Sequence, residues 1–300
     1  MQLKTSKSTI WQGLSLNTIY NMDCIEGMKL IPDCSIDLTV TSPPYDNLRT
    51  YDNDIDKTRW EHIWKPIIQE LYRVTKEWWV VVWVVWDATI KWSETGTSFK
   101  QALYFKEIGF NLHDTMIYEK SGFPFPMQNR YYQSFEYMFV FSKGTPKTVN
   151  LLSDRKNIYA GGKVARNKGI RSKNGEVVEN SANRLDKNRV IKDFGVRFNI
   201  WRITNSSSTW ESKKYKHPAM FPEKLAEDHI ITWSNEWDIV LDPFMWSFTT
   251  AVAVDNTNRK WIWIEMSEEY CKIWKERIIK NRIEKWLDLL DINIIKINEL

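Results

Sequence analysis

The segment from Thr41 to Tyr45 has the residue types with the clearest chemical use in the chain, since it reads Thr-Ser-Pro-Pro-Tyr. Apolar residues at every second position from Ile36 to Val40 predict that a strand leads into it. Two consecutive prolines lack N–H groups and fix φ at about −65°, so the chain leaves this strand as a stiff bend whose carbonyls face any ligand. Ser42 adds a hydroxyl acceptor, and Tyr45 adds a flat ring. This set suits the capture of the exocyclic amino group of a flipped-out nucleobase, although a purely structural turn is the alternative.

The elements that must position this bend are predicted by apolar periodicity. Strands and helices alternate along the chain, which indicates an α/β sheet. A continuous apolar run from Val80 to Val85 is typical of a strand buried on both faces of a parallel sheet. The tail, 287–300, extends the last helix or adds a strand, and the pattern fits both. In full, the predicted elements before this tail are strands at 18–22, 36–41, 80–85, 116–118, 137–141, 239–241 and 261–264, and helices at 24–30, 63–74, 99–108, 221–233, 249–254 and 267–282.

The composition, 43% hydrophobic and 27% charged over 300 residues, predicts a globular protein. Its three cysteines form no C-x-x-C pair and its four histidines lack metal-ligand spacing, so we expect neither a disulfide framework nor a metal site. The longest apolar run, Trp78 to Trp86, is too short to cross a bilayer. The polar N-terminus lacks the apolar core of a signal peptide. We therefore expect a soluble, cytoplasmic protein with no membrane contact.

Positive charge is concentrated in one part of the chain. Residues 143–216 hold 18 Lys+Arg and 6 Asp+Glu, whereas the remainder holds 24 and 32. Periodicity also fails between Gly144 and Lys216, which predicts an irregular insertion. A basic block in an otherwise acidic protein is typical of nucleic-acid contact, and a solvated insertion is the alternative. The residues predicted to bind DNA are Arg155, Lys156, Lys163, Arg166, Lys168, Arg171, Arg184, Arg189, Lys213 and Lys214.

Four segments resemble, in the same order, the amino-methyltransferases of DNA whose permuted sequence places the catalytic motif first. They are Thr41–Tyr45, His217–Leu225, Leu241–Ala251 and Ile264–Glu265. The resemblance spans about residues 18–281. It implies an α/β, Rossmann-like, mostly parallel methyltransferase sheet with helices on both faces and an irregular basic insertion. The implied parts are a catalytic half at 1–142, a target-recognition insertion at 143–216 and a cofactor-binding half at 217–300.

The resemblance implies a site-specific enzyme, of the kind found in restriction-modification, that methylates an exocyclic amino group of a flipped base in double-stranded DNA. S-adenosylmethionine is the implied methyl donor, no metal is needed, and a homodimer is left open. Ser42 and the Pro43 carbonyl would accept the two amino hydrogens, which favours a tetrahedral nitrogen with a freed lone pair, and positioning supplies the rest. Serine at the first motif position favours cytosine-N4 over adenine-N6. The implied catalytic residues are Ser42, Pro43, Pro44 and Tyr45.

The resemblance also implies a cofactor site. A loop that leaves a strand and opens a helix presents N–H groups and a positive dipole end to a carboxylate. Asp242 would fix this loop, Glu265 would accept ribose hydroxyls as in dinucleotide folds, and Asp23 with Cys24 would border the adenine. For Asp23 or Glu265 alone, a helix N-cap is the alternative. The implied cofactor-binding residues are Asp23, Cys24, Phe221, Asp242, Pro243, Phe244, Trp246, Ser247, Thr249, Thr250 and Glu265.

The cofactor loop departs from the family, because Trp246 and Phe248 stand where glycines let the chain approach the ligand. The chain has 17 Trp and 11 Gly, whereas an average content of about 7% predicts roughly 21 Gly. We hypothesise that UGA codons, read as glycine in the host, have been translated as tryptophan. This explanation does not extend to Phe248. The affected positions would be Trp78, Trp79, Trp86, Trp92, Trp237, Trp246, Trp263 and Trp274, whereas Trp83, Trp201, Trp233 and Trp261 fit ordinary tryptophans.

Two other functions compete with a DNA methyltransferase. One is a catalytically inactive DNA-binding relative whose cofactor loop is blocked by Trp246 and Phe248. The other is an enzyme that methylates a side-chain amide of a protein, against which the basic insertion and the motif order argue. Binding of the cofactor distinguishes a DNA methyltransferase from the inactive relative, and methyl transfer to DNA distinguishes it from the enzyme that methylates a protein.

Overall fold

The structure is a computed structural model that describes residues 10–11, 14–44, 60–121, 129–163, 170–178, 190–204, 222–245, 249–284 and 293–296. These residues form two compact units. The larger unit falls within Met1–Asn150 and Asn199–Leu300, and the smaller unit falls within Leu151–Phe198. This division does not test the predicted assignment of the chain to catalytic, target-recognition and cofactor-binding parts, which stays a prediction.

Nine strands of the described residues form one mixed sheet in the larger unit. They are β1 (Thr18–Asn21), β2 (Ile36–Thr41), β3 (Thr75–Val85), β4 (Asn111–Lys120), β5 (Phe135–Ser142), β6 (Ile200–Ile203), β7 (Ile239–Asp242), β8 (Lys260–Glu265) and β9 (Asn293–Lys296). Their order across the sheet is β6-β4-β5-β3-β2-β7-β8-β1-β9. Neighbouring strands are parallel, except that β5 is antiparallel to both β3 and β4. The predicted mostly parallel α/β sheet is confirmed.

Helices cover both faces of this sheet. In the described part of the chain they are α1 (Cys24–Lys29), α2 (Trp60–Val74), α3 (Thr97–Glu107), α4 (Glu223–Trp233), α5 (Thr249–Asn256) and α6 (Glu268–Glu284). Buried side chains of α1, α2 and α3 form one hydrophobic cluster with the sheet, and those of α4, α5 and α6 form another. Alternate residues of β3 enter the two clusters: Val82 packs in one and Val81 in the other. The apolar run of β3 is therefore buried on both faces, as predicted.

The sequence interpretation is wrong for residues 200–203, which it assigned to the irregular insertion. Ile200–Ile203 is β6, which pairs in parallel with β4. Trp201 is the buried residue of this strand and stacks on His229 of α4, with 4.5 Å between ring centroids. A four-residue strand with one buried side chain gives an alternation too short to stand out among polar neighbours.

The structure also shows two regions that the sequence left open or predicted to be irregular, the C-terminal tail and the smaller unit. The tail contributes a strand, since β9 pairs in parallel with β1. The smaller unit, predicted to be irregular, contains two short antiparallel ladders, Arg155–Lys156 with Phe194–Gly195 and Ile170–Arg171 with Val177–Val178. Apart from an isolated bridge between Lys163 and Val190, the other described residues of this unit have no regular structure, so the expectation of irregular backbone holds for most of its described part.

Two features are absent from the described residues, a membrane-spanning helix and a cluster of metal ligands. None of the described helices has the length and apolar character needed to cross a bilayer. No group of three or more His, Cys, Asp or Glu side chains in the described ranges is arranged to hold a metal ion.

Candidate active site

Two neighbouring strands, β2 and β7, end side by side at one edge of the sheet, with Leu38 beside Val240 and Thr39 beside Leu241. The chain leaves β2 toward β3 on one side and leaves β7 toward β8 on the other. Open α/β sheets bind ligands at the carboxyl ends of strands where the order reverses in this way. The Ser-Pro-Pro bend follows β2 and the Asp-Pro-Phe loop begins at the end of β7, so both predicted motifs lie at one crevice.

A buried hydrogen bond joins these two strand ends. The Oγ1 hydroxyl of Thr41 donates to Oδ1 of Asp242 over 2.7 Å, and the backbone N–H of Phe244 donates to the same oxygen over 3.0 Å. Thr41 and Asp242 are each 2% exposed. Asp242 therefore fixes the turn of its own loop and also ties this loop to the strand that carries the Ser-Pro-Pro bend.

Two carboxyl groups at this edge have strongly raised pKa values. Burial raises the pKa of Asp242 to about 7, although hydrogen bonds lower it, and the nearby charge of Glu265 raises it further. Burial also raises the pKa of Glu265 to about 7, against the lowering effect of two backbone N–H groups. Carboxyls perturbed in this way at adjacent strand ends are typical of functional sites. A cationic ligand would favour their ionised forms, because an opposite charge lowers the pKa of a carboxyl group.

Glu265 ends β8, the strand beside β7. Its Oε1 accepts the N–H of Ser267 over 2.7 Å, which fixes the turn toward α6. Asn21, at the end of β1, donates its Nδ2 to the carbonyl of Glu265 over 2.9 Å and to that of Met266 over 3.0 Å. The carboxyl ends of β8 and β1 are thereby held together, and a partly buried carboxylate remains at the edge as an acceptor.

Asp23 is the N-cap of α1, as the alternative interpretation predicted. Its Oδ1 accepts the N–H groups of Ile25 over 2.8 Å and Glu26 over 3.2 Å. The next residue, Cys24, has its thiol pKa raised to about 12, chiefly by burial and then by the charge of Asp23. This thiol is therefore protonated at neutral pH and is not a nucleophile. Because α1 follows β1 directly, both residues lie beside the end of β8.

This set of groups suits the cofactor that the resemblance implies. Carboxylates at two neighbouring strand ends, Asp23 and Glu265, can accept hydrogen bonds from ribose hydroxyls or an adenine amino group. The loop after Asp242 leads into α5, whose N-terminus favours a bound carboxylate. The buried carboxyls Asp242 and Glu265 also favour a ligand that carries positive charge, as a sulfonium does.

Aromatic side chains surround Trp83, which lies beside the end of β2 that leads into the Ser-Pro-Pro bend. Trp83 of β3 pairs with Thr41 of β2 in the sheet, and its ring lies 6.4 Å from that of Phe244 and 5.3 Å from that of Phe105. Its Nε1 donates to Oε1 of Gln101 over 2.9 Å. Of the bend itself, Pro43 is buried and its two neighbours are half-buried. Trp83 is therefore fixed by Gln101, Phe105 and Phe244, beside the strand end that leads into the bend.

Two residues of this region were not predicted as site residues. The sequence places Thr41 in the Thr-Ser-Pro-Pro-Tyr motif but assigns it no role of its own. Asp87, which follows β3, accepts the N–H of Ser98 over 2.9 Å, the Ser98 hydroxyl, and the Oγ1 of Thr95 over 3.3 Å. It is 4% exposed and holds the start of α3 at the same edge of the sheet. An acid two residues after the end of a buried strand is the sequence signal that could have found Asp87.

The described residues bring together part of the predicted site. Ser42, Pro43 and Pro44 lie at the end of β2, and Asp242, Pro243 and Phe244 lie at the end of β7. Thr250 is buried in the first turn of α5, where its hydroxyl bonds the Asp242 carboxylate. The backbone of Thr249 is described, but its side chain is not. The predicted residues Tyr45, Phe221, Trp246 and Ser247, with Phe248, lie outside the described residues.

The predicted DNA-binding residues fall mostly in or near the smaller unit. Lys156 and Lys163 are exposed. Arg155 is engaged within the unit: its Nε donates to the carbonyl of Val196 over 2.9 Å, and its guanidinium lies 4.5 Å from the ring centroid of Phe198. Only the backbone of Arg171 is described. The remaining residues lie outside the described ranges, and they are Arg166, Lys168, Arg184, Arg189, Lys213 and Lys214.

Known proteins are similar to this chain in sequence. The profile of the N6/N4 methyltransferase family, described as DNA methylase, matches residues 36–276. The orphan methyltransferase M.BamHII of Bacillus amyloliquefaciens is 59% identical over 255 residues, which cover 84% of this chain and 92% of that protein.

Solved structures agree at the level of the fold. The PvuII DNA methyltransferase, which is cytosine-N4-specific, has a TM-score of 0.62 at 20% identity, covering 92% of this chain and 93% of its own. TTHA0409 of Thermus thermophilus, solved with S-adenosyl-L-methionine, has a TM-score of 0.61 at 20% identity, covering 93% of this chain and 98% of its own. The chain belongs to the N6/N4 DNA methylase family, and it is an S-adenosylmethionine-dependent DNA methyltransferase.

Proposed function

We propose that this enzyme methylates, at a specific DNA sequence, the exocyclic amino nitrogen of a base flipped out of the duplex, and that cytosine-N4 is preferred over adenine-N6. The observation that carries the proposal is the buried bond from Thr41 to Asp242. It sets the bend that would hold the amino group against the loop that would hold the methyl donor. A DNA substrate would place the reaction in the cytoplasm.

The bend would act on the target amino group through acceptors. S-adenosylmethionine carries its methyl group on a sulfonium, and this makes the methyl carbon electrophilic. The Ser42 hydroxyl and the Pro43 carbonyl accept the two amino hydrogens, which draws the nitrogen toward a tetrahedral form with a free lone pair. Pro44 stiffens the bend, and Tyr45 stacks on the base. Alignment of nitrogen and methyl group would then supply the rest of the rate increase. As the N–C bond formed, the C–S bond would break, the cofactor would leave as a neutral thioether, and the methylated nitrogen would release one proton to water.

The cofactor would lie along the ends of β7, β8 and β1. The Asp242 carboxylate orders the loop whose N–H groups, at the start of α5, bind the carboxylate of the methionine part. Glu265 accepts the ribose hydroxyls, and Asp23 with Cys24 borders the adenine. The other proposed contacts come from Phe221, Pro243, Phe244, Trp246, Ser247, Thr249 and Thr250.

The preference for cytosine rests on two observations. Serine stands at position 42, where the first residue of the motif meets the amino group. The PvuII enzyme, which shares the fold, is cytosine-N4-specific. A hydroxyl at this position accepts one hydrogen bond from the amino group without adding charge.

The test is product analysis after methyl transfer. Mixed-sequence duplex DNA is incubated with the enzyme and isotopically labelled S-adenosylmethionine, and the nucleosides are separated by chromatography with mass detection. Labelled N4-methylcytosine is the expected product. N6-methyladenine would refute the cytosine preference.

Ser42→Ala should lower the rate by about 10²-fold or more, as loss of one stabilising contact does elsewhere, with cofactor affinity unchanged in calorimetry. A parental rate in this variant would remove Ser42 from the mechanism.

A further inference from the structure

Three tryptophans have the left-handed backbone that favours glycine. Trp78 and Trp92 have φ of 69° and Trp237 has φ of 72°. A bulky side chain at positive φ is a clear outlier, whereas glycine adopts this conformation without steric cost. Seven described residues other than glycine have positive φ, and three of these seven are tryptophan. Two others are asparagine, which tolerates the conformation better.

We propose that glycine is the native residue at positions 78, 92 and 237, and that the gene carries UGA there, read as glycine in its host. The three sites differ in local structure, and each demands glycine for a separate reason. The proposal does not depend on the assignment of the reaction.

Trp92 stands in a two-residue hairpin turn. Thr89–Ile90 pairs with Ser93–Glu94, with Ile90 directly opposite Ser93, so only Lys91 and Trp92 form the loop. Both loop residues have positive φ, 47° and 69°, which is the conformation of a type I′ turn. Such turns take glycine at the second loop position by strong preference. The indole of Trp92 is 74% exposed, so burial does not offset the strain.

Trp237 stands in a four-residue turn before β7. The N–H of Asp238 donates to the carbonyl of Asn235 over 3.3 Å, which makes Trp237 the third residue of a β-turn. Positive φ at this position defines a type II turn, which requires glycine there in most proteins. The N–H of Trp237 also donates to the carbonyl of Asn258 over 2.8 Å, so the backbone is held in place. Its side chain is 67% exposed.

Trp78 stands in an irregularity of β3. The register between β2 and β3 shifts between Ile36 and Leu38. The N–H of Trp78 donates to the carbonyl of Lys143, and the carbonyl of Trp78 accepts the N–H of Lys147 over 3.0 Å. Both backbone groups are thus committed, which fixes the left-handed conformation. Extra residues in a strand are commonly accommodated by a left-handed glycine.

The other positions of the sequence hypothesis do not gain this support. Trp79, Trp86, Trp263 and Trp274 are absent from the positive-φ residues of the described chain, and Trp246 lies outside it. A buried indole N–H without a hydrogen-bond partner among the described residues occurs at Trp263, but also at Trp233, which fits an ordinary tryptophan. Among the described tryptophans, only Trp78, Trp92 and Trp237 therefore stand where the backbone favours glycine.

The direct test reads the gene and the native protein. We expect UGA at positions 78, 92 and 237 and UGG at 83 and 201, where the indoles bond Gln101 and stack on His229. Mass spectrometry of peptides from protein isolated from its host should show glycine at the three positions. UGG codons at 78, 92 and 237, or tryptophan in those native peptides, would overturn the proposal.

A stability comparison tests the backbone argument independently. Glycine and alanine variants are made at each position in the chain as written, because both remove the indole and only glycine relieves positive φ. Each glycine variant should melt about 2–4 °C above its alanine partner. Leu103, exposed on α3, is the matched control: Leu103→Gly should melt below Leu103→Ala, since helical φ favours alanine. Alanine variants that equal or exceed the glycine variants at all three positions would overturn the proposal.

Discussion

Thr39 and Thr41 lie two residues apart on β2 and differ in what their hydroxyls contact. Thr41 donates to the Asp242 carboxyl over 2.7 Å, whereas the buried Oγ1 of Thr39 has no hydrogen-bond partner among the described residues. A hydrogen bond to a charged group contributes about 1.5–3 kcal/mol to stability. Replacing both threonines by valine, one at a time, therefore separates this contact from the general effect of removing a hydroxyl.

We expect Thr41→Val to lower the free energy of unfolding by about 1–3 kcal/mol, because the Asp242 carboxyl then loses a buried donor. It should also weaken S-adenosylmethionine binding, since the loop after β7 is no longer tied to β2. Thr39→Val should leave both quantities nearly unchanged or raise stability slightly. Urea denaturation and calorimetry measure the two effects. Equal destabilisation by the two substitutions would show that the bond to Asp242 has no special role.

Asp242 should also make stability depend on pH. Its pKa is raised from 3.8 to about 7, so between these values the folded protein binds more protons than the unfolded chain, and its stability falls as the pH rises. Asp242→Asn keeps an acceptor oxygen for Thr41 but removes this titration. We expect the melting temperature of the variant, relative to the parent, to rise from about pH 4 to about pH 7 and then to level off.

Thermal unfolding without cofactor, measured across this pH range, checks the prediction for Asp242. Glu265→Gln should show the same trend, because the pKa of Glu265 is raised from 4.5 to about 7 by burial. If the difference between variant and parent stayed constant across the range for both carboxyls, their burial in the folded protein would be less complete than the structure indicates.

At the scale of elements, sequence periodicity was sufficient where burial is uniform over many residues. The run at Val80–Val85 identified a strand buried on both faces, because such a strand has no polar face. The four residues of β6 escaped notice, since one buried tryptophan makes no pattern. The insertion of β5 antiparallel between β3 and β4 could not be predicted either, because strand order depends on contacts between residues far apart in the chain.

The candidate site likewise has features that the sequence could predict and features that it could not. The Ser42-Pro43-Pro44 bend and Asp242 could be predicted, because proline pairs and strand-end acids restrict the backbone in a way that is visible locally. The contact between Thr41 and Asp242 could not, since it joins residues 201 positions apart. Asp87 was missed for a related reason: its partners lie on the following hairpin and helix, 8 and 11 residues away.

Helix α1 packs closely against β8, beside the proposed cofactor site. A Cβ added at Gly27 would lie 2.8 Å from Cδ1 of Ile264 on β8, so glycine is what lets α1 rest on that strand. Gly27→Ala should push α1 outward and move its N-cap, Asp23, away from Glu265. Overpacking of this kind typically costs about 1–3 kcal/mol.

We expect Gly27→Ala to weaken cofactor binding as well as stability, and Ile264→Val, which removes the nearest methyl group, to restore part of both in the double variant. Calorimetry and urea denaturation measure these effects. In the single variant Gly27→Ala, stability and cofactor affinity should both fall. A variant that loses stability but binds the cofactor normally would show that the position of α1 does not matter for the site.

At the scale of the whole molecule, charge separates the two units. Residues 151–198 contain 12 Lys+Arg and 5 Asp+Glu, in a chain that contains 42 and 38. A DNA methyltransferase must bind a polyanion, and binding through Z phosphates gives a slope of about −0.9Z for log K against log salt. The smaller unit is therefore the part whose basic residues should determine this slope.

Lys156 and Lys163 are the residues with which to test this role, because both are exposed, whereas Arg155 is engaged with Val196 and Phe198 inside the unit. Replacing both lysines by glutamine should make the slope for mixed-sequence duplex DNA shallower by up to about 1.8, which is 0.9 per lost phosphate contact. Lys272→Gln with Lys280→Gln removes the same charge from α6 and should leave the slope unchanged. Fluorescence anisotropy at several salt concentrations measures both. If the control pair flattened the slope and the first pair did not, the DNA would bind elsewhere, and the basic insertion would be a solvated surface.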